Sequence, residues 1–416
     1  MNRVIGAVAV VAVAALGLSA CGGDDAAGDD GTTELALMVP SYGDKTQPYW
    51  EQLVKDFEAA NSTIKVRLEV QSWENIFDVV RTKVQGGTAP DILELDSSGP
   101  AYGKEDLLYE ADEIVSERTL SDIVPAFVES AAIDGVAYGV PTVASTRALF
   151  YNKDLFAQAG IAEPPTTWDE LLDAARKISA LGGGVYGYGM PLGKEEAQGE
   201  TSIWTYGAGG SWGDGSKITV DTPEATEALD FMKRMIDEGA TQPDPGATDR
   251  TPLMNVFIQG KIGMIEGLPP VVGQVKVKNP GLNWGVAPSP TKDGEPVTLG
   301  VADYFVAFKG EDGADDKRDA IRAFLDFFYQ KDNYVRFNDN EGFIPATKSA
   351  ADAAAAKPEL RSFIDALPGA RFYPAQNQAW SATSGAFKDL VGQIQSKPSA
   401  EVLKQIQAKA DEAAGG

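Results

Sequence analysis

The residues of this chain that could do chemistry are carboxylates and aromatic rings, because it contains no histidine and a single cysteine, Cys21. The lack of histidine excludes Ser-His-Asp and Cys-His catalysis, imidazole general bases and the usual zinc sites. Chemistry that needs only two carboxylates, such as glycoside hydrolysis, stays open, and Asp96 and Asp303 are the pair that we nominate for it. No motif indicates a metal or a cofactor, and we expect neither.

Polar side chains in predicted loops could instead hold a ligand without changing it. Carboxylate, amide and guanidinium groups form paired hydrogen bonds with the hydroxyl groups of a polar ligand. The polar candidates are Ser41, Asp44, Gln47, Asp96, Ser97, Arg147, Asp303 and Arg371. Two alternatives stay open: Arg147 and Asp303 could form salt bridges, and Ser41 and Ser97 could cap strand or helix ends.

Aromatic rings in polar or glycine-rich loops are the second set of candidates, since a flat ring can cover a weakly apolar face of a ligand. Trp50 and Trp168 lie in apolar stripes and are expected in the core. Residues 204–215 are predicted to form a Gly- and Trp-rich loop. The aromatic candidates are Tyr42, Trp204, Trp212, Tyr304, Tyr373 and Trp380. For each of them the alternative is packing in the protein interior.

Length and charge limit the fold and the partners. A chain of 416 residues exceeds what one compact core normally holds, so two lobes are expected. The formal net charge of −25 makes nucleic acid and anionic lipid poor partners.

The elements that must position these residues alternate between strands and helices. Apolar residues at 35–39 and alternating ones at 64–70 predict two strands, with a helix around Trp50 between them. Strands so closely spaced around a helix predict a parallel βαβ unit. Asp96 and Ser97 follow the next predicted strand, at the edge where open α/β sheets bind ligands.

One stretch, residues 148–178, is specified in unusual detail. It predicts a short strand, a turn ended by Gly160, a rigid double proline and a helix. Thr167 and Glu170 have the spacing of a capping box, and Trp168 begins the apolar face of the helix.

This stretch, LFYNKDLFAQAGIAEPPTTWDELLDAARKI, resembles the signature of extracellular solute-binding proteins of ABC importers, in the family that serves oligosaccharide and glycerol-phosphate importers. Further markers of that family follow in the expected order along the chain: Pro90-Asp91, residues 134–141, residues 257–267 and residues 342–346. Where relatives commonly stack an aromatic ring after GMIEG, this chain has Leu268-Pro269-Pro270.

The resemblance implies an α/β fold with two lobes, of the maltose-binding-protein-like type II, joined by hinge strands. Residues 142–146 and 297–308 would be the crossings. Lobe 1 is expected to comprise residues 34–143 and 305–341, and lobe 2 residues 144–304 and 342–416. Domain closure would then enclose a ligand in the cleft between the lobes.

The implied function is that of a receptor without enzymatic activity, which captures a small carbohydrate or polyol and delivers it to the permease subunits of an ABC importer. A monomer is expected. One alternative is a ligand of the glycerol-phosphate type, which Arg147 and Arg371 could recognise as a cationic pair. A more distant alternative is the carboxylate-dependent glycosidase.

The N-terminal segment predicts export and anchoring to the cell membrane. Residues 1–20 have a short positive region and an apolar stretch typical of a signal peptide, and residues 18–21 match a lipoprotein cleavage box. By resemblance, Cys21 would be lipidated as the first mature residue, outside the cytoplasm. Residues 21–33 would form a flexible tether. An ordinary signal peptide or a retained anchor helix is the alternative.

Overall fold

The computed structural model describes residues 32–73, 75–213, 215–310 and 317–415. The predicted signal peptide, Cys21 and the tether as far as residue 31 lie outside these ranges. The strands are β1 Thr33–Pro40, β2 Ile64–Gln71, β3 Ile92–Leu95, β4 Ala132–Ile133, β5 Val136–Ala137, β6 Val140–Thr146, β7 Ala148–Asn152, β8 Tyr186–Gly189, β9 Ile262–Gly267, β10 Trp284–Ala287, β11 Thr298–Ala307 and β12 Ala370–Arg371.

Helices pack around these strands along the whole described chain. They are α1 Thr46–Ala60, α2 Ile76–Gln85, α3 Ala111–Ile114, α4 Glu117–Asp122, α5 Pro125–Glu129, α6 Lys153–Gln158, α7 Trp168–Ser179, α8 Ala197–Gly207, α9 Pro223–Asp237, α10 Arg250–Ile258, α11 Pro270–Lys278, α12 Arg318–Phe328, α13 Lys331–Glu341, α14 Lys348–Ala355, α15 Arg361–Asp365, α16 Trp380–Leu390 and α17 Ser399–Ala414.

The first sheet has six strands in the order β12-β11-β3-β1-β2, with β6 also paired to β11. β1 runs parallel to both β2 and β3. The predicted parallel βαβ unit, β1-α1-β2, is therefore confirmed. Trp50 and Phe57 of α1 are buried beneath this sheet with Phe305 and Phe328, where Trp50 stacks on Phe328 at 5.4 Å.

The second sheet has four strands in the order β10-β7-β9-β8. Helix α7 packs against it, and its start forms as the sequence predicts. The amide of Glu170 donates to Oγ1 of Thr167 at 3.3 Å, and the amide of Thr167 donates to Oε2 of Glu170 at 3.2 Å. This capping box satisfies the first free amides of the helix.

The two sheets are connected through adjacent strands. β6 passes through Arg147 into β7, and residues 300–303 of β11 pair antiparallel with residues 143–146 of β6. The register shifts between Asp303 and Tyr304, after which β11 pairs with β3 on one side while residues 304 and 305 still pair with β6 on the other. The crossing segments at 142–146 and 297–308 thus lie side by side, and the predicted α/β architecture with two lobes is confirmed.

Two sequence-based expectations need correction or comment. The segment 204–215 is not a loop throughout, because α8 extends to Gly207 and buries Trp204 against Trp168. Tertiary packing of the aromatic rings overrides the glycine-rich pattern here. The lobe boundary at residue 342 stays a prediction, although the Ser349 amide of α14 donates to Asp122 of α4 at 3.0 Å.

Within the described ranges, none of the helices is long and apolar enough to cross a membrane.

Candidate functional site

The carboxyl edge of the first sheet gathers several of the predicted residues. Because β1, β2 and β3 are parallel, the segments that follow them meet at one edge. Tyr42 follows β1, Trp73 follows β2 and Asp96 follows β3. β11 adds Asp303 beside β3, at the point where its register shifts. The edge therefore presents aromatic rings and carboxyl groups together.

Tyr42 joins this edge to the crossing strand through a hydrogen bond. Its hydroxyl group donates to Oδ2 of Asp303 at 2.5 Å and lies 3.2 Å from Oε1 of Glu94. Burial raises the pKa of Asp303 to about 7 and raises that of Glu94 well above its usual range. Burial and the mutual charges of these groups therefore favour their protonated forms.

Asp96 is held by the turn that follows its strand. Its Oδ1 accepts the amide of Ser98 at 2.9 Å and the hydroxyl group of the same residue. Burial raises the pKa of Asp96, against the effect of these hydrogen bonds and of the Lys388 charge. Ser97 is partly exposed beside it. The second carboxyl oxygen of Asp96 is therefore the one that a ligand could use.

On the side of the second sheet, one carboxylate holds two arginines. Glu196 pairs through Oε1 with Nη2 of Arg147 and through Oε2 with Nε of Arg250. Nη1 of Arg147 also donates to Oγ of Ser145 at 2.7 Å. Arg147 is buried, so its salt bridge is internal, and the three charges form a fixed network. Both readings of Arg147, ion pair and site residue, are compatible with this position.

The pKa values of this network follow from the balance of burial and charge. Burial opposes ionisation of Glu196, but the Arg147 and Arg250 charges prevail and lower its pKa. Burial likewise opposes the Arg147 charge, and Glu196 outweighs it and raises the arginine pKa. Both shifts favour the ionised forms of Glu196 and Arg147, which pair as opposite charges.

The backbone at Glu196 is strained in order to place this carboxylate. The residue precedes α8 with φ of 63°, in the left-handed region that residues with a side chain rarely adopt. Gly199 leaves room for it, since a Cβ there would lie 2.9 Å from Cγ of Glu196. The positive end of the helix dipole favours a carboxylate at this place.

Tyr373 and Trp380 form a stacked pair next to the network. Their ring centroids lie 5.0 Å apart with an angle of 26° between the ring planes. The hydroxyl group of Tyr373 is buried and has no hydrogen-bond partner within the described part of the chain. Burial, followed by the Glu196 charge, raises the pKa of this tyrosine, so the group is a neutral donor. A buried polar group normally has a partner, which makes this one a candidate to contact a ligand.

The two sets of residues face one another closely enough to share electrostatic effects. The charges of Arg147 and Glu196 act on Asp303 as well as on Tyr373, and that of Asp96 acts on the same two groups. The Lys388 charge of α16 acts on both Asp96 and Glu196. The candidate site is therefore made up of these polar and aromatic side chains.

Three of the predicted aromatic candidates are core residues instead. Trp204 is 3% exposed and donates through Nε1 to Glu200, and Trp212 is 1% exposed and donates to Ser202. Tyr304 is 1% exposed, with its hydroxyl group bonded to Ser130. Their ring faces are covered by protein, so they offer no surface for a ligand.

Four polar candidates lie at the surface or form hydrogen bonds with other groups of the protein. Asp44 and Gln47 are exposed, and the amide of Gln47 donates to Glu51 of its own helix. Oγ of Ser41 donates to the Gly43 carbonyl group at 3.3 Å, which is the local capping alternative. Nη1 of Arg371 donates to the carbonyl oxygens at positions 209 and 210. The structure does not bring these four residues together.

Sequence reasoning missed Glu94, Glu196, Arg250 and Lys388. A buried arginine requires a carboxylate partner. Nothing local in the sequence indicates which of 61 acidic residues supplies it. The pairing depends on how α8, α10 and β6 meet in space.

Two further buried carboxyl groups lie beneath the network. Glu266 of β9 accepts the hydroxyl group of Ser289 at 2.8 Å, and Glu200 of α8 accepts that of Tyr188 at 2.7 Å. Burial raises the pKa of Glu266 to about 8 and that of Glu200 to about 7. Both groups therefore carry protons in the folded protein at pH values where they are ionised in the unfolded chain.

Glu266→Gln is expected to flatten the pH dependence of stability. Between pH 5 and 7 the folded protein holds a proton on Glu266 that the unfolded chain has lost, so stability falls as pH rises. A difference of one bound proton between the folded and unfolded states changes the free energy of unfolding by about 1.4 kcal/mol per pH unit. The free energy of unfolding, measured with urea at pH 5, 6 and 7, should fall less steeply with pH in the variant, by that amount per pH unit.

The exposed Glu295→Gln serves as the control for this measurement and should leave the slope unchanged. An equal slope in Glu266→Gln and in the unaltered protein would show that Glu266 is ionised when folded.

The described residues contain no group of three or more Asp, Glu, Cys or His side chains arranged to hold a metal ion.

Comparison with known proteins places the chain among binding proteins. A family model described as bacterial extracellular solute-binding protein matches residues 43–335. A binding protein of Brucella abortus is 36% identical over 393 residues, which cover 91% of this chain and 92% of that one. The diacetylchitobiose-binding protein DasA of Streptomyces coelicolor is 26% identical over 68% of this chain and 66% of its own.

The fold is likewise similar to solved structures of such proteins. The sugar-binding protein MalE of Xanthomonas citri superposes with a TM-score of 0.80 at 22% identity, over 92% of this chain and 98% of that one. At this level of identity the likeness concerns the fold.

Proposed function

The chain belongs to the bacterial extracellular solute-binding proteins, and from this premise we propose that it captures a small carbohydrate for an ABC importer. The observation that supports this ligand class best is the stacked Tyr373–Trp380 pair beside the charged network of Arg147, Glu196 and Arg250. A flat aromatic surface and an array of fixed hydrogen-bonding groups are the two things that a sugar needs. The Streptomyces relative named for diacetylchitobiose supports the same class.

The site is suited to hydroxyl groups rather than to a strong ionic charge. Glu196 neutralises one of its two arginines, and the carboxyl groups of Asp96 and Asp303 have raised pKa values. With a pKa of about 7, the carboxyl group of Asp303 can carry a proton near neutral pH, and it can then donate as well as accept, as sugar hydroxyl groups do. The hydroxyl group of Tyr373 adds a donor that has no partner within the protein as described.

Binding would be coupled to closure of the lobes, which we assign to residues 34–143 with 305–341 and 144–304 with 342–416. Tyr42 and Asp96 belong to the first of these proposed lobes, whereas Arg147 and Tyr373 belong to the second. A ligand that contacts both sets stabilises the closed form, and this difference in affinity drives closure.

We propose further that the mature protein is a monomer without enzymatic activity, tethered outside the cytoplasm by lipidated Cys21. The family assignment agrees with an extracytoplasmic location. Its partners would be the carbohydrate and the permease subunits, and neither a metal nor another cofactor is required.

A glycerol-phosphate ligand is the second candidate, and the contacts of the two arginines disfavour it. A phosphate group requires free cationic donors. Arg147 is paired with Glu196, and Arg371 donates to backbone carbonyl oxygens. If this ligand binds nevertheless, the phosphorylated compound should bind more tightly than glycerol, and Arg147→Ala should abolish the difference.

Titration with a panel of saccharides tests the proposal. The panel comprises glucose, mannose and N-acetylglucosamine with their β- and α-linked oligomers, as well as polyols and glycerol 3-phosphate. We expect at least one saccharide to change tryptophan fluorescence and to raise the melting temperature. At 100 times the Kd the ligand adds about 2.7 kcal/mol to the stability.

Aryl glycosides serve as the matched test for the glycosidase alternative, which would depend on Asp96 and Asp303. Binding without release of the aryl group agrees with a receptor, whereas turnover that Asp303→Asn abolishes would establish an enzyme. A panel in which no sugar or polyol binds would refute the carbohydrate proposal.

A further inference from the structure

The loop between β1 and α1 carries Tyr42 into the candidate site, and one hydroxyl group holds the backbone of this loop. Oγ1 of Thr46 accepts the amides of Tyr42 at 3.0 Å and Gly43 at 3.1 Å, and it donates to Oε2 of Glu341 at 3.1 Å. A threonine hydroxyl group has two acceptor lone pairs and one proton. The two amides use both lone pairs, so the proton is directed to Glu341. Thr46 is fully buried, so solvent does not compete for these bonds.

Glu341 is the last residue of α13, and helix stability does not explain a carboxylate there. Gly342 ends the helix with φ of 83°, in the left-handed region, and its amide donates to the carbonyl oxygen of Asn338 at 2.7 Å. The negative end of a helix dipole disfavours a carboxylate. The neighbouring Asn340 donates both to Oε1 of Glu341 at 2.9 Å and to the carbonyl oxygen of Lys45 at 3.2 Å. The end of α13 therefore holds the loop at two places.

The segment that follows α13 contacts the same loop and a crossing strand. The ring of Phe343 meets the ring of Tyr42 edge to face, with 5.0 Å between the centroids. The next residue, Ile344, exchanges backbone hydrogen bonds of 3.2 and 3.3 Å with Ala144 of β6. The end of α13 and the crossing segment at 142–146 are thus connected to Tyr42 through a few adjacent residues.

We propose that Glu341 is a positioning residue for the candidate site, which through Thr46 sets the loop that directs the hydroxyl group of Tyr42 to Asp303. That hydroxyl group donates to Oδ2 of Asp303 at 2.5 Å. Because Glu341 lies where the chain leaves α13 for the crossing strands, the orientation of Tyr42 follows the movement of the lobes. Glu341 acts through these residues and does not have to contact the ligand itself. Its consequence for affinity rests on the carbohydrate function proposed above.

Hydrogen exchange of the full chain without ligand tests the link itself. The amides of Tyr42 and Gly43 bond to Thr46, so their exchange rates report on the loop directly. Glu341→Ala removes the acceptor of the Thr46 proton, and we expect these amides to exchange roughly fivefold faster, the factor that one hydrogen bond contributes. Glu341→Gln keeps an oxygen acceptor and should leave the rates within about twofold of the unaltered protein. Mass spectrometry of peptides that contain residues 42 and 43 gives the rates.

Asp339→Ala is the matched control for these variants. Asp339 lies on the same helix, is exposed and pairs with Lys357 rather than with the loop. Its removal should change neither the exchange of residues 42 and 43 nor the affinity for a saccharide.

Affinity shows whether the link serves binding. The probe is the saccharide of the panel above that has the lowest Kd, measured by calorimetry. Glu341→Ala should raise its Kd roughly fivefold, and Glu341→Gln should restore most of the affinity. In a Tyr42→Phe background Glu341→Ala should have no further effect, because Glu341 acts through the hydroxyl group of Tyr42. A general loss of stability would raise Kd equally in both backgrounds.

Each outcome decides the inference. Unchanged exchange at residues 42 and 43 in Glu341→Ala would overturn it, as would faster exchange with an unchanged Kd. An equal rise in Kd with and without the hydroxyl group of Tyr42 would also refute the positioning role. If no saccharide binds, the carbohydrate function fails, and the exchange rates then decide whether Glu341 holds the loop.

Discussion

Glu196→Gln is expected to lower the free energy of unfolding by about 3 kcal/mol, which is a typical cost of removing one partner of a buried ion pair. The carboxylate neutralises Arg147 and Arg250 together, and Arg147 is buried. Glutamine has nearly the same shape but no charge, so it leaves two neighbouring cations without a counter-charge. Urea unfolding at pH 7 measures the loss.

The exposed Glu163→Gln is the matched control and should change the stability by less than about 0.5 kcal/mol. The double variant Glu196→Gln/Arg250→Gln should be more stable than the sum of the single changes predicts. The second change removes one of the two cations that the first change leaves without a counter-charge. Strictly additive losses would show that Glu196 and Arg250 do not interact in solution.

Tyr373→Ala should have the largest effect on ligand binding. Truncation of a central aromatic anchor commonly costs about 2 kcal/mol, or roughly a 30-fold rise in Kd. The change also exposes a face of Trp380, which loses its stacking partner. Calorimetry with the saccharide identified in the panel gives the value.

Tyr373→Phe separates the ring from its hydroxyl group. It keeps the stack on Trp380 and removes a buried hydroxyl group without a described partner, so the free protein should be at least as stable as before. A lost hydrogen bond to the ligand would raise Kd by roughly three- to tenfold. Tyr102→Phe, at a partly exposed position, is the control. Unchanged affinity in both Tyr373 variants would place the ligand elsewhere.

Much of the fold could be predicted from the sequence because local signals agree with the tertiary structure. The capping box of Thr167 and Glu170 forms as its spacing indicates, since it depends on neighbouring residues alone. The parallel strands β1 and β2 follow from the short helical connection between them. Ordered family markers added the two-lobed arrangement.

Predicting the site was less successful, because whether a ring faces a ligand or the core depends on packing between distant segments. Trp204 and Trp380 both lie near polar or glycine-rich sequence. The first is enclosed by Trp168, Tyr188 and Phe231. The second is 7% exposed and stacks on Tyr373, which is partly exposed. No local pattern distinguishes these two environments.

The sequence by itself determined the alternation of strands and helices, the family and the residue types from which a binding site could be built. These features depend on periodicity, capping and composition, which are properties of neighbouring residues. Only the tertiary structure decided that Glu196 holds two arginines, that Tyr42 bonds to Asp303, and that Tyr373 is partly exposed whereas Trp204 is buried. The physical reason is that burial and charge pairing join residues far apart in the chain, so their partners are set by the packing of whole elements.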